Sequence, residues 1–327
     1  MKKIINHPDH VVTEMLEGMA LAHPEVVYFK EAEVIARKEK SHKVGLVSGG
    51  GSGHEPSHAG YVGKGILDAA VAGNVFASPS PDRVLKGIQE ANSGKGVLLI
   101  IKNYSGDIMN FQMAQELAEM EGIEVDHVVV KDDVAVPDST YSTGRRGIAG
   151  TVFVHKVAGA KAETGASLQE VKQVAEKTIA NIRSMGMAMS SCVLPGVGTP
   201  SFTLGADEIE IGMGIHGEPG IEKSPVLPAK EIAKKLVEPI LNDFEKMSGE
   251  VAVMVNGLGS TPLMELYILF REVTELLKQH DISVYRAYVG NFMTALEMSG
   301  ASLTLLNLDQ ELKALIDAPC QTPAMKG

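Results

Sequence analysis

Short apolar runs that end in glycine or polar residues recur along the chain, and this pattern constrains the fold more than any other feature. The clearest run is Gly96–Lys102 (GVLLIIK), and a similar run, Lys43–Ser48, precedes it. Apolar runs of this length that stop at turn residues are typical of buried strands in α/β sheets. The sequence therefore predicts an α/β protein whose ligand site lies where strands end.

The chain of 327 residues is long enough for two domains. Its composition changes near residue 185, where a lysine- and glutamate-rich segment predicted as a helix (167–187) gives way to a strand-like run (188–194). We therefore predict an amino-terminal α/β domain over 1–185 and a carboxyl-terminal α/β domain over 186–327. Each is expected to hold a mixed sheet covered by helices, with the ligand site between glycine-rich loops.

Charge and composition exclude several classes of protein. The 41 acidic residues outnumber the 30 lysines and arginines, and the net charge of −11 argues against a nucleic-acid-binding surface. Apolar runs fall short of the ~18 residues of a membrane-spanning helix, and Met1–Asn6 lacks the apolar segment of a signal peptide. Cys192 and Cys320 lack metal-ligand spacing, so no bound metal is predicted. We expect a cytoplasmic protein that binds neither nucleic acid nor membrane.

A glycine-rich loop, Gly49–Ser57 (GGGSGHEPS), follows the first apolar run. A phosphate-binding P-loop needs lysine and then serine or threonine after its last glycine, but His54 and Glu55 stand there. A dinucleotide fingerprint that starts at Gly51 would need glycine at the position of Pro56. The loop matches neither nucleotide motif. Two interpretations remain, a simple glycine turn with a surface histidine, or a bare backbone and an imidazole that face a ligand.

Polar residues also follow the run Gly96–Lys102, in the segment Asn103–Asp107 (NYSGD). Lys102 ends an otherwise apolar strand and is therefore placed where α/β proteins bind ligands. Asp107 opens a predicted helix, where a carboxylate caps free N–H groups and is favoured by the helix dipole. A plain helix cap and a ligand-facing carboxylate both remain open for Asp107.

A single histidine, His216, lies among four glycines in the segment Gly212–Gly220 (GMGIHGEPG). The glycines allow tight turns and close approach of a ligand. Imidazole is the commonest catalytic group at neutral pH, although most histidines are not catalytic. The sequence leaves two interpretations of His216, an incidental turn residue or a reactive nitrogen.

Three of these segments occur together in one order: Ser48–Pro56, Lys102–Asp107 and Gly214–Gly220. In this combination the chain resembles the dihydroxyacetone-binding subunits of dihydroxyacetone kinases, over essentially its whole length. The resemblance implies that a short ketone is bound covalently, because a ring nitrogen of His216 adds to its carbonyl carbon and forms a hemiaminal.

The resemblance also implies roles for other residues. His54 would assist the addition, and Asp107 would be the general base for the hydroxyl group that receives phosphate. The implied catalytic residues are therefore His216, His54 and Asp107. The implied ligand-binding positions are Gly51, Ser52, Gly53, His54, Lys102, Asp107 and His216.

The resemblance further implies a phosphotransferase subunit that depends on the phosphoenolpyruvate phosphotransferase system. This chain would bind no cofactor itself. ADP and Mg²⁺ would lie on a partner subunit, DhaL, which DhaM rephosphorylates, and the chain itself would form a homodimer.

Two alternatives stay open. The family contains a paralogue that binds dihydroxyacetone and acts as a co-activator of a transcription regulator. A carbonyl-binding module without any partner is the other. The presence of His54, Lys102 and Asp107 favours the kinase subunit.

Overall fold

A computed structural model describes residues 2–137, 144–247 and 249–327. Within these ranges the chain forms two six-stranded sheets, and the first has the order β1-β2-β4-β3-β5-β6. Its strands are β1 (Val26–Phe29), β2 (Val34–Arg37), β3 (Gly45–Ser52), β4 (Ala69–Val75), β5 (Val97–Lys102) and β6 (Val125–Val130). Strands β4, β3, β5 and β6 run parallel, whereas β1 and β2 pair antiparallel at one edge. The first sheet is therefore mixed.

Helices cover both faces of this sheet because its central strands are apolar on both sides. Along β5, Leu98 and Ile100 join one buried cluster, and Leu99 and Ile101 join another, as the alternation of side chains in a strand requires. The first cluster includes residues of α1, α4 and α5, and the second includes residues of α2 and α3. These helices are α1 (Val11–Ala22), α2 (Pro81–Ala91), α3 (Ser105–Met120), α4 (Thr151–Glu163) and α5 (Leu168–Ala180).

The second sheet has the order β11-β10-β12-β7-β8-β9, in which β10 and β11 are parallel and the other pairs are antiparallel. Its strands are β7 (Ile182–Ala188), β8 (Glu208–Ile211), β9 (Glu222–Pro225), β10 (Glu250–Gly257), β11 (Ser283–Gly290) and β12 (Gly300–Asn307). The remaining helices are α6 (Ala229–Asp243), α7 (Leu263–Gln279) and α8 (Gln310–Asp317). In the described part of the chain, no helix has the length and apolarity to cross a membrane. The predicted fold class, two mixed sheets covered by helices, is confirmed.

The start of the second sheet differs from the sequence prediction. The helix predicted to reach residue 187 ends at Ala180, and the strand expected at 188–194 is β7, Ile182–Ala188. Strand pairing sets the bounds of β7, because this strand is hydrogen-bonded to β12 along its whole length. The proposed boundary at residue 185 thus falls inside β7. One hydrophobic cluster also includes residues of both sheets, such as Ile100 and Met254.

Two further segments differ from the prediction of helices and loops. The helical spacing of apolar residues from Val11 to Met19 predicts short helices over 11–40. The structure instead forms α1 and then the strands β1 and β2, whose Val-rich sequences suit strands. Gly49–Ser52, predicted as a loop, continues β3. A side chain on Gly49 would overlap the carbonyl oxygen of Val71 on the neighbouring strand. Glycine here permits close packing of two strands rather than a turn.

A buried imidazole pair lies beneath the first sheet. His58 Nδ1 is 3.0 Å from Nε2 of His155, a residue of α4, and both side chains are buried. Burial lowers the pKa of His155 from its ordinary 6.5 to about 3, and the charge of Lys102 adds to the shift. His155 is therefore neutral in the folded protein throughout the physiological range.

The buried pair of His58 and His155 predicts that the folded protein loses stability as the pH falls. Between pH 6.5 and about 3, an unfolded chain binds a proton at His155 and the folded chain does not, so stability falls as pH decreases by up to ~1.4 kcal/mol per unit. We expect His155→Phe to flatten the pH dependence of the unfolding free energy, measured by urea denaturation. His280→Gln, at an exposed position, should leave the dependence unchanged. An unchanged slope in His155→Phe would contradict the prediction.

Candidate active site

Two histidines from distant parts of the chain meet between the sheets. His54 follows β3 of the first sheet, and His216 lies between β8 and β9 of the second. Their Nε2 atoms are 3.0 Å apart although 162 positions separate the residues. His54 is fully buried, whereas the His216 side chain is 20% exposed. A ligand can therefore reach His216 from solvent.

The outer nitrogens of both rings are fixed by acceptors. His54 Nδ1 lies 2.7 Å from the carbonyl oxygen of Thr294, which can only accept, so this nitrogen carries hydrogen. His216 Nδ1 lies 2.8 Å from Oε1 of Glu218, and the backbone N–H of His216 donates to the other carboxylate oxygen. Each ring therefore has its Nδ1–H engaged, which directs the Nε2 lone pair of each ring toward the other.

The carboxylate of Glu218 is ionised because favourable contacts outweigh its desolvation. Burial raises the pKa of Glu218, but the hydrogen bond from His216, together with the charges of His216 and Arg146, brings it below its ordinary value. Two Nε2 lone pairs could not approach to 3.0 Å without a proton between them. The geometry therefore implies one proton shared by His54 and His216, with Glu218 as the compensating anion.

Aromatic rings enclose the His216 imidazole. Phe76 and Tyr104 stand edge-on to it, with ring centroids 5.1 and 4.8 Å away, and Phe76 also stacks on His54 at 5.0 Å. Phe76 has a left-handed backbone, with φ of 57°. Such a conformation in a bulky residue costs free energy and persists where surrounding structure enforces it. These contacts hold the plane of the imidazole and limit the access of water.

A buried ion pair lies at the end of β5. Lys102 is 1% exposed, and its Nζ is 3.5 Å from Oδ2 of Asp107, in the first turn of α3. The hydroxyl of Ser78 donates to the other oxygen of Asp107. The ammonium has three N–H donors, and the described residues supply it with this one carboxylate acceptor and the ring face of Tyr104, 5.1 Å away. It therefore keeps donor capacity for the oxygen of a ligand.

The backbone positions expected to bind the ligand have other partners as well. Gly51 and Ser52 belong to β3, and the Ser52 hydroxyl donates to the carbonyl of Gly73 at 2.8 Å. The N–H of Gly53 donates to the carboxylate of Glu55 at 3.0 Å. Ligand binding by Gly51, Ser52 and Gly53 thus stays a prediction, as does ligand binding by His54 and Lys102.

Sequence reasoning missed several residues of this site. Glu218 stands two positions after His216, and this spacing was its only signal. Phe76, Tyr104 and Thr294 reach the histidines through tertiary contacts, so local patterns do not identify them. For the polar loop 137–147, the sequence favours a plain exposed loop over a mobile lid or a contact surface. Its residues 138–143 lie outside the described residues, and Arg146, near its end, contacts the loop of His216.

Comparisons with known proteins identify relatives of this chain. The profile of the Dak1 domain matches residues 17–324. A protein of Listeria innocua serovar 6a, named PTS-dependent dihydroxyacetone kinase 1, dihydroxyacetone-binding subunit DhaK, is 55% identical over 95% of each chain. The solved structure of the dihydroxyacetone kinase operon co-activator Dha-DhaQ has a TM-score of 0.90 and 39% identity over 98% of each chain.

A larger protein also contains this fold. The dihydroxyacetone kinase of C. freundii, solved with AMP-PNP and Mg²⁺, has a TM-score of 0.92 and 36% identity, over 99% of this chain and 61% of that one. The match of the domain profile and these identities over nearly the whole length show that this chain belongs to the Dak1 domain family.

Proposed function

We propose that this protein is the dihydroxyacetone-binding subunit of a dihydroxyacetone kinase that depends on the phosphoenolpyruvate phosphotransferase system. It binds the ketone as a hemiaminal on His216 and presents a hydroxyl group for phosphorylation. The observation that carries the proposal is the 3.0 Å contact between Nε2 of His54 and Nε2 of His216. Lys102 and Asp107 at the end of β5 supply the polar groups of the second step.

The shared proton lets the pair act as nucleophile and acid together. Nε2 of His216 forms a bond to the carbonyl carbon, and the π electrons of the C=O bond move to its oxygen. The proton that the two Nε2 atoms share passes to that oxygen, which gives a hydroxyl group. Burial, with the charges of His216 and Lys102, holds the pKa of His54 well below its ordinary value, so His54 stays neutral once the shared proton has left.

The charge of the site is the same before and after this addition. Before it, the pair carries one proton beyond two neutral rings. Afterwards, His216 is an imidazolium substituted at Nε2, and His54 is neutral. Glu218 compensates the same positive charge in both states through its bond to Nδ1. The adduct therefore forms without a new buried charge, which would be costly.

Covalent attachment also supports selection of a ketone. A polyol such as glycerol has no carbonyl group and cannot form the hemiaminal. Hydrogen bonds donated by Lys102 and accepted by Asp107 would alone separate the two compounds weakly, because both compounds carry hydroxyl groups.

Phosphoryl transfer requires a hydroxyl group aligned with the donor and a base for its proton. Asp107 is proposed as that base, since Ser78 and Lys102 orient its carboxylate. The donor is proposed to be a separate DhaL subunit that carries ADP and Mg²⁺, with DhaM as the upstream phosphoryl donor. The proposed assembly of this chain is a cytoplasmic homodimer.

A second candidate is a ligand-responsive co-activator, because the Dha-DhaQ structure is closely similar. Reconstitution separates the two. The purified protein is mixed with DhaL, DhaM, phosphoenolpyruvate, the general phosphotransferase proteins and dihydroxyacetone, and dihydroxyacetone phosphate is measured. We expect turnover that depends on this chain. Ketone binding without turnover would reject the kinase and favour the co-activator.

The close packing beside Lys102 predicts that replacing Gly50 weakens ligand binding. Gly50 has φ of +150°, and a Cβ there would lie 2.8 Å from Nζ of Lys102. We expect Gly50→Ala to displace the ammonium, to weaken ketone binding in calorimetry, and to cost about 1–3 kcal/mol of unfolding free energy. Gly18→Ala, with open space in α1, is the matched control and should leave binding intact. An unchanged affinity of Gly50→Ala for the ketone would show that Lys102 does not belong to the ligand site.

A further inference from the structure

We propose that Arg146 is a positioning residue for the hemiaminal chemistry, because it anchors the loop that carries His216 and Glu218 and so keeps the lone pair of His216 on Nε2. The proposal rests on the proposed function for its consequence. Its structural content, the hydrogen on Nδ1 of His216, can be tested without any ligand.

Arg146 is itself rigidly held. It lies between β6 and α4, is 8% exposed, and its Nε donates to Oδ2 of Asp133 at 2.8 Å. Asp133 is fully buried, and its backbone N–H donates to the carbonyl of Arg146 at 3.1 Å. Several bonds to one buried partner leave the guanidinium little freedom.

From this anchor, Arg146 reaches the loop that carries His216. Its Nη2 donates to the carbonyl of Gly212 at 2.8 Å. A Cβ added to Gly214 would lie 2.7 Å from Nη1 of Arg146 and would overlap Oε2 of Glu218. The guanidinium and the carboxylate therefore both border the space beside the Cα atom of Gly214. A segment that follows the first sheet thus fixes the reactive loop of the second.

The Glu218 carboxylate accepts two hydrogen bonds that depend on its position. It accepts from the backbone N–H and from Nδ1 of His216. The tautomer of a histidine is set by the bond that its other nitrogen makes. If Glu218 moved away, the hydrogen could occupy Nε2 of His216 and block the lone pair that attacks the ketone. Arg146 touches neither His54 nor the reacting atoms in this scheme, and it acts through the loop that it binds at Gly212 and that carries Glu218.

The test must avoid leaving Asp133 as an unpaired buried charge. We therefore compare the double variant Arg146→Met/Asp133→Asn with Asp133→Asn alone. A third variant, Arg145→Met, removes a neighbouring guanidinium that pairs with Asp243 instead. Folding is checked by near-ultraviolet circular dichroism for each protein.

The first measurement is the downfield proton resonance of Nδ1–H of His216 in the free, nitrogen-15-labelled protein, assigned by its absence in His216→Ala. The second is the hemiaminal fraction of bound dihydroxyacetone labelled with carbon-13 at its carbonyl. We expect the double variant to lose the resonance and at least about tenfold of the hemiaminal fraction, as for other partners that orient a histidine. Asp133→Asn and Arg145→Met should keep both.

Each outcome bears on one proposal. A folded double variant that keeps the resonance and the adduct overturns the role of Arg146. A wild-type protein that shows the resonance but never a hemiaminal rejects the proposed function, and the resonance still decides the role of Arg146. If the double variant does not fold, the same two measurements are made on Gly214→Ala instead. Its methyl group would push Glu218 and Arg146 apart, and retention of both signals would overturn the proposal.

Discussion

Replacing His216 with alanine is expected to abolish covalent retention of dihydroxyacetone and to lower turnover by about 10³-fold or more, the scale seen when an enzyme loses its nucleophile. The physical reason is that, among the described residues of the site, the other nucleophilic nitrogens belong to His54 and Lys102, and both side chains are buried. Carbon-13 spectra of bound ketone and the rate of dihydroxyacetone phosphate formation measure the two effects.

The control for this variant is a second histidine replaced in the same way. His280→Ala removes an imidazole at an exposed position after α7 and should change neither measurement. A folded His216→Ala protein that still holds the ketone with wild-type affinity, or still shows a hemiaminal carbon, would rule out the covalent mechanism.

Replacing Asp107 with asparagine is expected to spare hemiaminal formation and to lower turnover by about 10²–10⁴-fold, the usual contribution of a general base. Asparagine keeps the shape of the side chain and an oxygen that can accept from Ser78. It cannot accept the proton of the ketone's hydroxyl group at neutral pH. Calorimetry of ketone binding and single-turnover phosphorylation separate the two steps.

The alternative for Asp107 is a structural cap of α3, and a matched position tests it. Asp82 also lies in the first turn of a helix, α2, and its side chain is exposed. Asp82→Asn should lower neither binding nor turnover. Equal losses of binding and turnover in Asp107→Asn, accompanied by a lower unfolding free energy, would identify Asp107 as a cap.

Local patterns in the sequence were enough for much of this protein. The apolar runs that become β3 and β5, the polar residues Lys102 and Asp107 after the second run, and the glycines around His216 all lie in short segments. Strand periodicity and glycine geometry are properties of neighbouring residues, so the sequence could predict an α/β fold and nominate the reactive side chains. The resemblance then gave these side chains their implied roles.

The tertiary structure decided how those side chains work. The contact of His54 with His216 joins residues 162 positions apart, and the acceptor of His54 is a backbone carbonyl, at Thr294, that carries no sequence signal. Pairing with β12 placed β7 earlier than its composition indicated. Hydrogen-bond partners and strand register depend on distant segments that pack together. The sequence therefore determined which groups are present, and only the folded chain decided which nitrogen keeps its lone pair.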